Sequence, residues 1–588
     1  MCGIIGVIAK NNSINDFQAT LDILKEKTAH RGPDDYGQHI GANFAAANLR
    51  LSIVDKAGGQ QPIYSEDEQV GIVYNGEVYN FPALKQELIA KGHTFVTESD
   101  TEVVLKIYEE YGTDGFAKLN GMFAFCIWDN HTGEIYLVRD PLGIKPLYIY
   151  EDDRQIIFSS EQKAILALPD IDTTINPYGI QDYLFFRYTI APYTIYQNIT
   201  KARPGYYYRY SHNQLNHFPF YEIKHHDGNP AEFPVEAAKS EIDRLFKQSV
   251  QSQLMGEVPV GALLSGGIDS SAIAYYLNQL GANLTTFNIG FPEVNEFEYS
   301  REIAKQFNLK HIEITTSVDE LINQYEQINY FLDEPMADPA CLPLFILAQE
   351  LKKHVTVVLS GEGGDELFAG YPQYLHTTNV TPASELGVTP ASERGIGKYS
   401  AFLQQSFYFD NFRQFLNDQT IAPQHPRHRK YFAENTLLNG MLNHDLHNWL
   451  PDNLMMKADK ILMSQSLEGR FPFLDHNLLK YVSQLPTEYK IKDGITKWIL
   501  KEIMLPKLPE KIVNRPKMGF TVPVDLLLQK MKDKVLDTIN TSSYGPLAAV
   551  LNIPHIKQTT ENYYHGNKSI SHLQIWTIFT LLYWFNHQ

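Results

Sequence analysis

The sequence predicts an α/β and α+β protein in two units: an N-terminal sandwich of antiparallel sheets with flanking helices, and a C-terminal doubly wound parallel α/β sheet followed by a helical region. Three observations predict it. The chain has 588 residues, well beyond the ~100–200 that a single core usually organises. Up to about residue 210, short apolar or alternating runs separated by turn residues outnumber helix-like stretches. From about residue 236, strand and helix patterns alternate, which is the rhythm of a parallel sheet covered on both faces.

In the N-terminal unit, 1–210, the strand signals are CGIIGVIA, FAAANLRLSIV, VGIVYN, MFAFCIWD, EIYLVRD, PLYIY and QIIFSS, with helical patterns near 14–29, 82–91 and 101–112. The stretch 211–235 turns polar and contains Pro and Gly, as a linker does. In the C-terminal unit, 236–588, helices at 236–254, 269–280 and 298–308 alternate with VPVGALLS, TTFNIGF, KHIEIT and VTVVLS, and the rest reads as helical. In such sheets ligands bind at the carboxyl ends of the strands. A tandem octapeptide, TPASELGV and TPASERGI at 381–396, reads as a duplicated surface loop.

Composition narrows the function. Lys and Arg number 50 against 68 Asp and Glu, and a net charge of −18 without a basic patch argues against a nucleic-acid partner. No run of ~18 apolar residues suggests a membrane span, and MCGIIGVIAKNN lacks the features of a signal peptide, so a cytoplasmic location is expected. Three scattered cysteines, Cys2, Cys126 and Cys341, build neither a disulfide framework nor a zinc site. Cys126, inside MFAFCIW, reads as a buried small hydrophobe.

Cys2 follows Met1, and removal of Met1 leaves a cysteine with a free α-amino group. With a reference pKa near ~8, that amine suits a general base for its own thiol. Taken alone, a chance cysteine explains the residue equally well. Asn75-Gly76 taken alone is a hairpin turn. Together, however, AHRGPDDYG (29–37), LRLSIVD (49–55), VYNGEVYN (73–80), ESDTEVVL (98–105) and VRDPLGIKPLYI (138–149) resemble the class II glutamine amidotransferase domain. The resemblance implies an Ntn-type αββα sandwich in which Cys2 is the nucleophile. It implies that Arg50 and Asp100 hold the α-carboxylate and α-amino group of glutamine, that Asn75 and Gly76 form the oxyanion hole, and that Glu77 contacts substrate. The chemistry suits these types: a guanidinium fork matches a carboxylate, and an amide with an unobstructed backbone N–H matches an oxyanion. His30 and Arg31 receive no direct catalytic role.

VGALLSGGIDSSAIA (260–274) reads as a buried strand, a glycine turn and a helix N-terminus. Ser265, Gly266, Gly267, Asp269 and Ser270 there form a cradle for a pyrophosphate, because glycines admit close approach and the helix offers unpaired N–H groups. No Lys follows the glycines, so it is not a Walker-type loop. The pattern resembles the SGGxDS loop of the ATP pyrophosphatase group. VTVVLSGEGGDELFAGY (355–371) repeats the logic, and Asp269 and Asp365 at two strand ends suit a Mg²⁺ held on pyrophosphate. The resemblance assigns them that role and places Leu263, Ile289, Ser360 and Gly361 against adenine and ribose, although core packing explains Leu263 and Ile289 as well.

LPDNLMMKADKILMSQSLEGRFPFLDH (450–476) and NRPKMGFTVP (514–523) extend the resemblance to the asparagine synthetase family over almost the whole chain. It implies that Lys517 stabilises departing pyrophosphate and that Glu362 takes a proton from attacking ammonia. Asp459, Glu468 and Arg470 read equally well as a buried ion-pair network, and FLDEPMADPACLP (331–343) as a border of the acceptor pocket. The implied substrates are glutamine, ATP with Mg²⁺, and aspartate. An amidotransferase for another carboxylate, such as a sugar acid or peptide, shares these motifs, and a β-lactam-forming or peptide-cyclising synthetase is a more distant rival. A homodimer stays open.

Overall fold

The computed structural model describes residues 2–10, 16–282, 284–379, 412–417, 430–431, 436–519, 522–541, 543–567 and 569–587; the tandem octapeptide at 381–396 lies outside them. The N-terminal part contains two six-stranded antiparallel sheets. Cys2–Ala9 pairs with Phe44–Arg50 on one side and Gln155–Ser159 on the other. In the second sheet Val70–Val78 pairs with Gly121–Asp129, which pairs with Glu134–Arg139.

Strand alternation explains how these sheets stack. Ile4 and Ile8 share a core with Val73, Ala124 and Cys126 of the second sheet. Ile5 and Val7 point the other way, onto Leu21 and Leu24 of the helix Phe17–Thr28. On the far side, Ile72, Phe125 and Ile127 pack on Leu84, Leu88, Val103 and Ile107 of the helices Phe81–Ala90 and Asp100–Tyr111. The layers are therefore helix, sheet, sheet, helix. Burial of both faces is why MFAFCIW is apolar throughout instead of alternating, and why Cys126 is fully buried. Within the first sheet Gly6 leaves room for its neighbours, since an added Cβ would lie 2.3 Å from Phe158 Cζ and 2.7 Å from the Ala45 carbonyl oxygen.

The polar stretch expected to link the units contributes one more strand, so the linker is shorter than 211–235: Gln214–Pro219 pairs antiparallel with Tyr206–Ser211 at the edge of the second sheet. An edge strand with one open side needs little apolar patterning, and charges or polar groups there keep other chains away. That is why it read as a loop.

The C-terminal part contains a five-stranded parallel sheet in the spatial order Lys310–Thr315, Thr285–Gly290, Val260–Leu263, Val357–Leu359, Glu468–Arg470. The chain enters at the centre, moves to one edge, then crosses back to the other side. The topological switch falls between Val260–Leu263 and Val357–Leu359, where loops diverge and leave a crevice. The fifth strand, Glu468–Arg470, is an addition to the mainly helical remainder that the sequence suggests. It is three residues long and carries Glu and Arg, so no apolar run announced it; both side chains are buried against each other, with Arg470 Nε donating to Glu468 Oε1.

The helices Val524–Lys530 and His572–Asn586 pack on the helix Val318–Leu332, with Tyr325 against Trp576 and Phe579, and Ile553–Tyr564 packs on His572–Asn586. Among the described residues no helix is long and apolar enough to cross a membrane.

His476 sits where the halves meet. Its ring stacks on Tyr221 at 5.2 Å and its backbone N–H donates to Asn120 Oδ1 at 3.1 Å. Burial pushes its pKa down from 6.5 to about 4. The unfolded chain takes up this proton below pH 6.5 but the folded chain only below about 4. The neutral ring therefore favours the fold fully above pH 6.5, and this contribution, roughly 2–4 kcal/mol, is lost as pH falls through that window. The melting temperature of His476→Phe is expected to fall less between pH 6.5 and 4.5 than that of the parent, as read by thermal denaturation; equal slopes would contradict it.

Candidate functional site

The candidate residues gather in two clusters. In the first, adjacent strands bring Cys2, Arg50, Asn75 and Gly76 together. Cys2 lies opposite Arg50 in the ladder, and its backbone nitrogen donates to Asn75 Oδ1 at 3.0 Å. That contact orients the Asn75 amide, whose Nδ2 is buried without a hydrogen-bond partner. A buried, unpaired donor is costly unless something accepts from it. Gly76 has no room for a side chain, since a Cβ would stand 2.3 Å from the Met122 carbonyl oxygen.

Arg50 is held by the loop that follows its strand: Nη1 donates to the Lys56 carbonyl at 3.2 Å, and Nη2 to those of Val54 and Asp55 at 3.1 and 2.7 Å. Three of its five donors are thus spoken for. Asp100, behind the N-cap Ser99, accepts from Tyr74 Oη at 2.8 Å and the Val78 N–H at 2.9 Å through Oδ2. Burial raises its pKa, and those two hydrogen bonds oppose the rise. Glu77 is buried with Oε1 3.6 Å from Arg470 Nη2 and Oε2 unpartnered; burial, then the nearby Glu468 carboxylate, push its pKa well up. Arg31, left without a role by the sequence, donates from Nε to the Cys2 carbonyl at 3.2 Å.

The second cluster lines a cavity of about 420 Å³ at the switch point. Leu263, Ser265, Gly267, Asp269, Ser270, Ile289, Ser360, Gly361, Glu362, Asp365 and Lys517 all face it. Gly266 does not line it but makes its turn: its φ is +78°, and a Cβ there would lie 2.5 Å from Tyr299 Cβ, so only glycine fits. Ser265 Oγ accepts from the Gly267 N–H at 3.3 Å and lies 3.2 Å from Ser270 Oγ at the start of the helix Ile268–Gln279. The second loop packs on the first, since a Cβ on Gly361 would be 3.2 Å from the Ser270 nitrogen.

Asp269 and Asp365 converge on one cation position. Lys497 Nζ is 2.6 Å from both carboxylate oxygens of Asp269 and 2.7 Å from Asp365 Oδ1. Lys517 Nζ is 2.6 Å from Asp365 Oδ2. Burial would raise the Asp365 pKa, but Lys497 and then Lys517 outweigh it and hold the value down to about 2. The neighbouring Glu366 is pushed up to about 8 by burial and the Asp365 charge. Lys517 is therefore part of the cavity wall and not a surface lysine. Among the described residues no group of three or more metal-ligating side chains occurs; with the Lys497 ammonium displaced from between them, the two carboxylates fit a cation that draws its other ligands from a phosphate and water, as Mg²⁺ does.

Lys497 escaped the sequence reading. It precedes the helix Trp498–Met504 in a left-handed conformation, φ 53°, and nothing in its spacing marked it. Of the segment 331–343, Asp338, Ala340 and Pro343 reach the cavity, where Lys457 Nζ lies 3.1 Å from Asp338 Oδ2. Asp333 and Glu334 turn toward the N-terminal half instead: Asp333 accepts from the Gln162 and Lys163 N–H groups and pairs with Lys460 at 2.7 Å, and Glu334 lies 3.3 Å from Lys201. They do not border the pocket because a buried lysine claims each.

Residues 241–586 match the family model described as asparagine synthase, and residues 1–221 match that of a glutamine amidotransferase domain. The chain is 34% identical to "Asparagine synthetase [glutamine-hydrolyzing] 1" of Bacillus subtilis (strain 168), over 99% of this chain and 96% of that protein. It is 31% identical to a "Putative asparagine synthetase [glutamine-hydrolyzing]" of Mycobacterium bovis, over 99% and 97%. A "Putative asparagine synthetase [glutamine-hydrolyzing] 2" of Methanocaldococcus jannaschii is 34% identical over 64% of this chain and 76% of its own length.

Burial raises the thiol pKa of both Cys126 and Cys341, which removes the reactive thiolate. Alkylation of the native protein with iodoacetamide is expected to modify Cys2 before either of them. Peptide mass mapping checks this, and earlier labelling of Cys126 would refute it.

Proposed function

The chain belongs to the glutamine-hydrolysing asparagine synthetase family, and from that premise we propose that it converts aspartate to asparagine, with glutamine as nitrogen donor and ATP as activator. Residues 1–210 carry the glutaminase reaction and residues 236–588 the synthetase reaction. The observation that most supports this is the pairing, in one chain, of a cysteine beside an unpartnered buried amide donor with a switch-point cavity in which Asp269 and Asp365 meet Lys497 and Lys517.

In the first reaction, once Met1 is removed, the Cys2 α-amine accepts the thiol proton and the sulfur attacks the glutamine side-chain amide. Asn75 Nδ2 and the Gly76 N–H receive the developing oxyanion. Arg50 and Asp100 hold the substrate by its α-carboxylate and α-ammonium, with Glu77 beside them. Ammonia leaves, and water releases glutamate from the thioester.

In the second reaction the aspartate β-carboxylate attacks the ATP α-phosphate and pyrophosphate departs. Ser265, Gly267 and Ser270 cradle the phosphates, while Leu263, Ile289, Ser360 and Gly361 bound the nucleoside. Mg²⁺ held by Asp269 and Asp365 would supply charge neutralisation on the pyrophosphate. Lys517 and Lys497 place ammonium groups where negative charge accumulates. Ammonia then attacks the acyl carbon, AMP leaves, and Glu362 takes the surplus proton.

Cys2→Ala is expected to abolish glutamine-dependent synthesis while sparing ammonia-dependent synthesis, both followed as asparagine formed. Asp269→Asn and Asp365→Asn should do the opposite, retaining glutamine hydrolysis and losing pyrophosphate release; normal release in both variants would sink the assignment. Lys517→Ala and Lys497→Ala are each expected to slow aspartate-dependent ATP–pyrophosphate exchange by about 10²–10³ with a modest change in KM for ATP. An exchange rate within a few-fold of the parent would remove that lysine from the mechanism.

A further inference from the structure

The glutaminase centre is tied to the synthetase half by a chain of buried charge. Arg31 has no exposed side-chain surface, and its guanidinium is fixed in three directions. Nε donates to the Cys2 carbonyl at 3.2 Å, Nη1 to Glu161 Oε1 at 2.8 Å, and Nη2 lies 2.7 Å from Asp459 Oδ2. Asp459 belongs to the helix Met456–Met463 of the C-terminal half, and its other oxygen is 3.4 Å from Lys145 Nζ. On the opposite wall, Arg470 reaches Glu77, next to Gly76, while its own carbonyl accepts from the Ser360 N–H at 2.9 Å.

We propose that Asp459 is a positioning residue for the Cys2 nucleophile: through Arg31 it fixes the strand end that carries the thiol, so the glutaminase centre is competent only with the helix Met456–Met463 docked on it. A guanidinium is a flat, rigid fork, so its orientation is defined by where its partners stand. Glu161 alone holds one prong. Asp459 holds the second, and with both fixed Nε faces the Cys2 carbonyl. Without the Asp459 charge, Nη2 is buried and uncompensated, and the fork turns to satisfy it. The Cys2 carbonyl then loses its donor, and the thiol its alignment with Asn75. Misplacement of a reacting group by about 1 Å can cost on the order of 10² in rate.

This inference rests on the proposed role of Cys2 as the glutaminase nucleophile. The test uses the full-length protein with Asp459→Asn, which keeps shape and removes charge. Asp459 does not line the synthetase cavity. Turnover of glutamine hydrolysis is expected to fall ~10–100-fold, with KM for glutamine within about twofold and ammonia-dependent synthesis within about twofold of the parent. Asp459→Glu should restore part of the loss. In an Arg31→Gln background, Asp459→Asn should add nothing, because both act through one contact. Unchanged glutamine turnover in Asp459→Asn would overturn the proposal, as would a parallel loss of both activities, or losses that multiply in the double variant. If Asp459→Asn is insoluble, the same split between the two activities is read on Asp459→Glu. Glutamine hydrolysis that survives Cys2→Ala would overturn the reading of the thiol itself, and this inference with it.

Discussion

The structure depends on charge that has been taken out of water between its two halves. Arg31, Glu161, Asp333, Asp459 and Lys460 are essentially without solvent exposure, and each is paired: Lys460 with Glu161 at 3.0 Å and Asp333 at 2.7 Å, Arg31 with Glu161 and Asp459. Taking an ion from water into such surroundings costs several kcal/mol even after relaxation, so an unpaired member is not tolerated. The consequence is geometric. Glu161 follows a strand of the N-terminal sandwich, while Lys460 and Asp459 ride on a helix of the C-terminal half, and they satisfy one another only when the halves meet in one register. Apolar contact alone, being non-directional, would permit sliding.

The same constraint shapes the cavity at the switch point. The loops that follow two adjacent parallel strands diverge there, and they deliver Asp269 and Asp365 to within reach of one cation. Like charges brought this close in a partly dry site raise each other's pKa unless a cation intervenes. Lys497 and Lys517 intervene, which keeps Asp365 ionised. Glu366, one residue on and farther from those lysines' hydrogen bonds, goes the other way, up to about 8. Neighbouring carboxylates on one short helix are thus pushed in opposite directions, because only Asp365 pairs with the ammonium groups.

Much of this was legible beforehand. Antiparallel sheets with flanking helices followed from strand patterns, their αββα layering from the family resemblance, and the parallel sheet from alternation of strand and helix. The cavity lining contains every residue expected against nucleotide and phosphate except Gly266, whose backbone makes the turn. Lys497, Arg31 and the strand Glu468–Arg470 were not legible as site-building elements. Lys497 has no motif around it, Arg31 sits in a turn-rich loop, and a charged three-residue strand resembles a helix edge.

The sequence by itself determined which residues are candidates for the chemistry: they stand in short local patterns, such as a strand that ends in SGG before a helix, or an Asn-Gly flanked by strand-forming residues. Local patterns survive reading because backbone geometry over a few residues follows from residue type. Only the tertiary structure decided what holds those residues still. Arg31 meets Asp459, Glu77 meets Arg470, and Lys497 meets Asp269 across long stretches of chain. A buried charge specifies that it must have a partner but not which one, and that choice is made when two halves, each with its own core, close on a shared seam.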